Sequence, residues 1–249
     1  MMKALGMQIK SEMVRTLRNR KFVFFALLMP LGFYFLFVTQ YGPAMQIGGA
    51  QWSAYLLMSM TVYGVLMGSV SQLANTLAQE RKLGWYRLLH TTPAPAWGYL
   101  SSKMIAQLGI NLALIVIMFL VGHFTENVDL SASQWVSCAL SILFGSLVFL
   151  SLGGLIAVLL GAEAAPLAAV GIQLALSFLG GLWTPVQAFP DTLRKLAEWL
   201  PSYRIGHVPW NIVSGVDVAW QDFAVTGAYL ILFVLVWGGI SKRQEAVAA

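Results

Sequence analysis

Charged residues make up only 10% of this 249-residue chain, against 58% hydrophobic residues. A soluble domain carries about a quarter charged residues, so the balance excludes that class and points to several membrane spans. Cysteine is almost missing. The single Cys138 lies in an apolar run, which excludes an intrachain disulfide and any cysteine-based metal motif. No Gly-Lys pair occurs, so the phosphate-cradling loop Gly-x-x-x-x-Gly-Lys-Ser/Thr is absent and nucleotide hydrolysis by that route is excluded. The three histidines, His90, His123 and His207, carry no His-Glu-x-x-His or similar pattern. They are expected in loops or re-entrant segments, neither catalytic nor metal ligands. No cleavable signal is expected, because Lys3, Lys10, Arg15, Arg18, Arg20 and Lys21 precede the first apolar run with no small-residue cleavage site after it. The net charge of +5 is expected to report membrane orientation, and no nucleic-acid partner is expected.

What is present is a series of apolar runs, each near the roughly 20 residues a span needs. The expected fold is an all-α polytopic membrane protein with six transmembrane helices, at 22–39, 52–77, 105–121, 135–160, 167–183 and 223–240. Residues 1–21 interleave apolar and basic side chains, which predicts an interfacial helix. Pro30 and Gly32 predict a kink in the first span. Trp52 and Tyr55 suit interface depth at the start of the second. Gly145, Gly153 and Gly154 predict close helix approach in the fourth. Twelve of the fifteen basic residues fall on the side that holds both termini, and only Arg194, Lys195 and Arg204 fall opposite. By the positive-inside rule both termini are cytosolic.

The stretch 79–103, QERKLGWYRLLHTTPAPAWGYLSSK, is a polar, basic loop between two spans. Glu80 to His90 can form a short amphipathic helix, with Leu83, Tyr86, Leu89 and His90 on one side and Arg81, Lys82 and Arg87 nearer the other. Thr91, Thr92, Pro93 and Pro95 then stop it. Two readings fit: a docking element for a soluble partner, or a helix lying on anionic lipid. Glu80, Arg81, Gly84, Leu88, Leu89, Thr92 and Pro93 resemble the first cytoplasmic loop of type-2 ATP-binding-cassette (ABC) exporter membrane subunits. The resemblance implies a coupling helix that docks on a separate ATP-hydrolysing subunit, with Lys82 and Arg87 on the same element. It also implies an N-terminal interfacial helix, with Glu12, Arg15 and Arg18, before a Pro-containing first span.

A second segment, 184–215, is too long for a turn and too broken by Pro185, Pro190, Pro201 and Pro209 for one helix. Two short helices are expected: one over 191–200 with Asp191 as N-cap, burying Leu193, Leu196, Ala197 and Leu200, and one over 203–213. Trp183, Pro185, Phe189, Pro190, Leu200, Pro201, Tyr203 and Gly215 resemble the same family's re-entrant helical hairpin. Interfacial anchoring by Trp199, Tyr203 and Trp210 suits the segment equally well.

Within the spans the polar residues are uncharged and helically spaced: Ser69, Gln72, Thr76 and Gln79 with Asn75 beside them, then Gln107 and Asn111, then Gln173 and Ser177. Such stripes face protein or a cavity and serve as interhelical glue, a dimer interface or a substrate path. The resemblance implies a permease in a bacterial plasma membrane that binds no cofactor itself. ATP and Mg would sit on the partner subunit, and a second permease copy or paralogue and membrane lipid would be further partners. With spans free of buried charge, the expected cargo is amphipathic or lipid-like, such as a drug, antibiotic or peptide, moved outward. A lipid or polysaccharide exporter of that family and a non-transporting membrane sensor or scaffold are the alternatives.

Overall fold

The computed structural model describes residues 2–42, 45–84 and 96–248. Inside hydrocarbon, a backbone with no water must satisfy itself, and uninterrupted apolar runs therefore become helices. Nine α-helices form among the described residues, an all-α polytopic membrane fold. α1 (Met2–Arg18) ends at Asn19, whose side chain accepts from the Phe22 N–H at 3.3 Å and so starts α2 (Arg20–Tyr41). A small hairpin follows, β1 (Gln46–Ile47) against β2 (Ala50–Gln51). Its two turn residues, Gly48 and Gly49, have φ of 57° and 91°, the left-handed pair that a two-residue reversal demands.

α3 (Trp52–Lys82) is the central post: 94% of its apolar window is buried. Around it stand α2, α4 (Ala96–Glu126), α5 (Ala132–Leu159) and α6 (Ala164–Leu179). α5 begins with a capping box between Ser131 and Gln134. A 3₁₀ turn (Val186–Ala188), α7 (Asp191–Ala197) and α8 (Pro201–Ser214) form the hairpin, and α9 (Trp220–Ala248) closes the chain. α9 lies at the periphery, with only 11% of its window buried. Lipid supplies no hydrophobic force between helices, so contact quality holds them together. A close backbone approach joins α5 to α3: a Cβ on Gly153 would lie 2.8 Å from the Val70 carbonyl oxygen, so the two backbones touch.

Among the described residues, five helices are long and apolar enough to cross a membrane, and α6 is a shorter apolar helix beside them. α6, expected over 167–183, is a 16-residue apolar helix that stops at Leu179. Gly181 takes φ of 78° and the Leu182 N–H returns to the Ser177 carbonyl, which turns the chain before Trp183. The first expected span carries Pro30 inside an unbroken helix. The loop 79–103 is shorter than expected, because Glu80, Arg81 and Lys82 are the last residues of α3 and Lys103 belongs to α4. In the hairpin, Pro190 takes the N-cap position and Asp191 instead accepts from Arg194 at 2.6 Å. Only Ala197 of the four expected apolar positions is buried; Leu193 and Leu196 are exposed, as a helix presenting them to lipid would have them.

Candidate functional site

At the end of the bundle that carries the basic residues, four charges from three helices close into one neutral cluster. Arg15 of α1 donates through Nη1 to Glu80 Oε1 at 2.6 Å and through Nη2 to Glu12 Oε2 at 2.8 Å. Lys103 of α4 donates to Glu12 Oε1 at 2.9 Å and to Glu80 Oε1 at 2.8 Å. Tyr99 completes Glu80 by donating its hydroxyl to Oε2, and the Lys103 ammonium sits over the Tyr99 ring. The Lys103 side chain is only 3% exposed. Buried charges of this kind survive only when every partner is in place. The cluster therefore fixes α1 to the end of α3 and the start of α4, the two helix ends that flank residues 83–95.

The neighbouring residues bind in the other direction. Arg81 donates through Nη1 to the carbonyls of Ala157 at 3.0 Å and Val158 at 3.3 Å, a cation on the last turn of α5. Gln79 reaches the Ala162 carbonyl at 3.4 Å and Lys82 pairs with Glu163 at 3.4 Å. Arg81, Lys82 and Glu163 edge a groove of about 770 Å³ between α3, α5 and α6. Gly84 turns the chain with φ of 72°. Arg87, Leu88, Leu89, Thr92 and Pro93 lie outside the described residues. Arg18 is exposed beside Met7, Lys10 and Val14 on α1.

At the opposite end, the hairpin is held by a run of rings. Tyr41 meets Trp52, Trp52 stacks on Tyr55 and Tyr55 stacks on Trp210 of α8 at 5.0 Å. Trp210 then meets Tyr203, which stacks on His207 at 5.1 Å. Burial, with Glu198 nearby, raises the Tyr203 phenol above its ordinary range, so that ring stays neutral. Trp210 also donates its indole N–H to Ser59 Oγ at 2.9 Å. Replacing it with Phe keeps the ring and loses the donor. Trp210→Phe is expected to cost about 1 kcal/mol in detergent unfolding. Among the remaining hairpin positions, Leu200 caps α8 and Pro201 opens it, while Pro185 and Pro190 precede the 3₁₀ turn and α7. Phe189 packs on Phe178, and Trp183 meets Phe33 and Tyr63.

The expected polar stripe divides between neighbours. Asn111 donates to Ser69 Oγ at 2.9 Å and Gln107 to Asn111 Oδ1 at 3.2 Å, a buried chain joining α3 to α4. Gln72 and Thr76 line a narrow crevice with Glu12, Lys103 and Gln107. Gln173 receives a hydrogen bond from Ser71, a residue outside the expected stripe, and Ser177 donates to the Gln173 carbonyl of its own helix. Asn75 is exposed.

Residues 45–241 match the family model described as ABC-2 family transporter protein. The chain is also 37% identical over 246 residues to a Bacillus subtilis (strain 168) protein named "Putative transport permease YvfS", covering 99% of this chain and all of that one. The chain belongs to the ABC-2 transporter family. As an ABC-2 permease it is a membrane component of a transporter and is not itself catalytic. The family match runs from before α3 to residue 241 within α9, so Glu80, Lys103 and the whole 184–215 hairpin lie inside it, while Glu12 and Arg15 precede it.

Two features of this ABC-2 permease escaped the sequence reading. Lys103 was expected only as a loop-end charge, yet it is the hub of the basic-end cluster, and Tyr99 was not considered. A lone cation seven residues into an apolar helix was the available signal. The spans were also expected to lack buried charge. Asp222, in the first turn of α9, is fully buried and bound by Arg204 and His207 of α8. Arg204 and His207 are three positions apart on α8, so once that helix forms they share one face.

Proposed function

We propose that this chain is the membrane subunit of an ATP-driven exporter that moves an amphipathic or lipid-like substrate out of the cell. The basic end faces the cytosol, and a separate ATP-binding subunit docks there on the segment that leaves α3 and returns into α4. ATP and Mg are handled by that partner, and two permease copies or a permease and its paralogue enclose the path. The observation that carries the reading is the neutral cluster of Glu12, Arg15, Glu80 and Lys103. It makes α1, α3 and α4 one mechanical unit at the two helix ends a docked subunit would push. A push delivered to 83–95 would tilt all three helices together, which is how an ATP-dependent equilibrium at one end reaches the spans. The polar groups buried between α3, α4 and α6, Ser69, Asn111, Gln107 and Gln173, are uncharged, which suits a bundle that passes a cargo carrying few charges.

The test is tagged purification of the chain expressed with candidate ATP-binding subunits. A complex of two permeases and two ATP-binding subunits that survives detergent and hydrolyses ATP is the expected result. Purification of the chain alone with every candidate would remove the docking role. Stimulation of the assembled ATPase by hydrophilic glycans and by no amphipathic compound would overturn the cargo class.

A further inference from the structure

Asp222 is 0% exposed at the start of α9, and α8 occupies both its oxygens. Arg204 Nη1 donates to Oδ1 at 2.9 Å, and His207 Nδ1 lies 2.7 Å from Oδ2. A carboxylate is acceptor only, so that imidazole nitrogen carries the proton. Asn211 Nδ2 stands 3.4 Å from the same nitrogen, and the Arg204 guanidinium lies over the Tyr203 ring. The other contacts that seat α8 are neutral. Trp210 bonds Ser59 of α3, Ser202 Oγ donates to the Leu176 carbonyl of α6 at 2.7 Å, and Ile205 fills the space left by Gly145 of α5. Among the described residues, the charged seat of α8 is on α9.

Three observations make this seat a place that can open. α9 is the least embedded of the apolar helices long enough to span. A groove of about 580 Å³ is lined by Leu140 and Phe144 of α5, Val208 and Ile212 of α8 and Phe223 of α9, the residue after Asp222. Arg204 Nε is buried without a hydrogen-bond partner among the described residues, so the pairing does not use every donor. We propose that Asp222 is the positioning residue of the hairpin: through Arg204 and His207 it latches α8 onto α9. α8 separates from α5 when the carboxylate gives up a partner. Its purpose, opening this end of the bundle to cargo, rests on the transporter reading above. The latch itself does not.

The chain contains its own reporter. Cys138, its one cysteine, is fully buried beneath α8 with Sγ 4.0 Å from the Pro209 carbonyl oxygen. Lifting α8 uncovers the thiol. The experiment is N-ethylmaleimide labelling of the full chain in lipid nanodiscs, read by intact mass, with Cys138→Ser as the blank. Wild type and Asp222→Glu, which keeps the charge, are expected to label slowly. Asp222→Ala is expected to label faster by on the order of tenfold or more, because it leaves the two donors unpaired. The doubly neutral Asp222→Asn with Arg204→Gln relieves the uncompensated charge and is still expected to label fast, which a merely structural defect would not produce. Slow labelling of Asp222→Ala overturns the latch. If Asp222→Ala does not insert, slow labelling of the doubly neutral variant overturns it instead. A further arm adds the ATP-binding subunit and a non-hydrolysable ATP analogue. Faster labelling of wild type, with no further change in Asp222→Ala, supports the gating role. A fast Asp222→Ala with no nucleotide response in the assembled wild type overturns gating alone, and failure to assemble counts against the exporter reading and leaves the latch result standing.

Discussion

Glu80→Ala is expected to release α1 from the bundle and to abolish ATP-driven coupling. Glu80 accepts from Arg15, Lys103 and Tyr99. Without it Lys103, 3% exposed, shares one remaining carboxylate with Arg15, and the cluster passes from neutral to a net positive charge. Breaking a buried ionic group by removing one member costs about 3–5 kcal/mol. Half of Arg15 remains exposed to solvent screening, so the lower end of that range applies here. The loss should appear as earlier unfolding in detergent and as new protease cleavage within α1. Lys103→Met should behave alike, by leaving two carboxylates with Arg15 as their one shared cation. Combining Glu80→Gln with Lys103→Met removes one charge of each sign, and the double variant should recover most of the stability. Coupling should not recover with it, because the ionic tie between α3 and α4 is gone. Full ATP-driven activity in that stable double variant would show that the cluster holds the fold and transmits nothing.

Gly153→Leu is expected to prevent the bundle from assembling. The atoms nearest a Cβ at this site are the Val70 carbonyl at 2.8 Å, the Ser69 carbonyl at 3.0 Å and Val70 Cα at 3.2 Å. All are backbone and cannot rotate aside. Even Gly153→Ala must part α3 from α5, an overpacking cost of about 1–3 kcal/mol; leucine adds three more carbons at the same point. The displacement would reach Ser69, the acceptor for Asn111, and so loosen α4 as well. Gly239→Leu is the control, because nothing lies within 4 Å of its Cβ position on the exposed face of α9. Monodisperse elution of Gly239→Leu beside aggregation of Gly153→Leu is the expected pattern. Equal elution of the two would mean that the α3 to α5 contact is not what holds the bundle.

Residue sequence alone determined which stretches become helix and which end carries the charge. Runs of apolar residues between Asn19, the glycine pair Gly48 and Gly49, and the polar stretch after Lys82 are local features, and hydropathy over a span length reads them without knowledge of any neighbour. The small residues of α5 likewise announced close approach. Tertiary structure decided what each of those residues meets. Gly153 could have faced any helix, and it faces Val70. Glu12 and Lys103 are 91 positions apart, Ser71 and Gln173 are 102 apart, and no periodicity links them. In a soluble helix the apolar stripe tells which face turns inward. A span is apolar on every side and lipid is as apolar as its neighbours, so rotation about the helix axis is set by backbone approach and by the few polar groups that must find partners. Those partners, Lys103 with two carboxylates at one end and Asp222 with Arg204 and His207 at the other, exist only once the helices are packed.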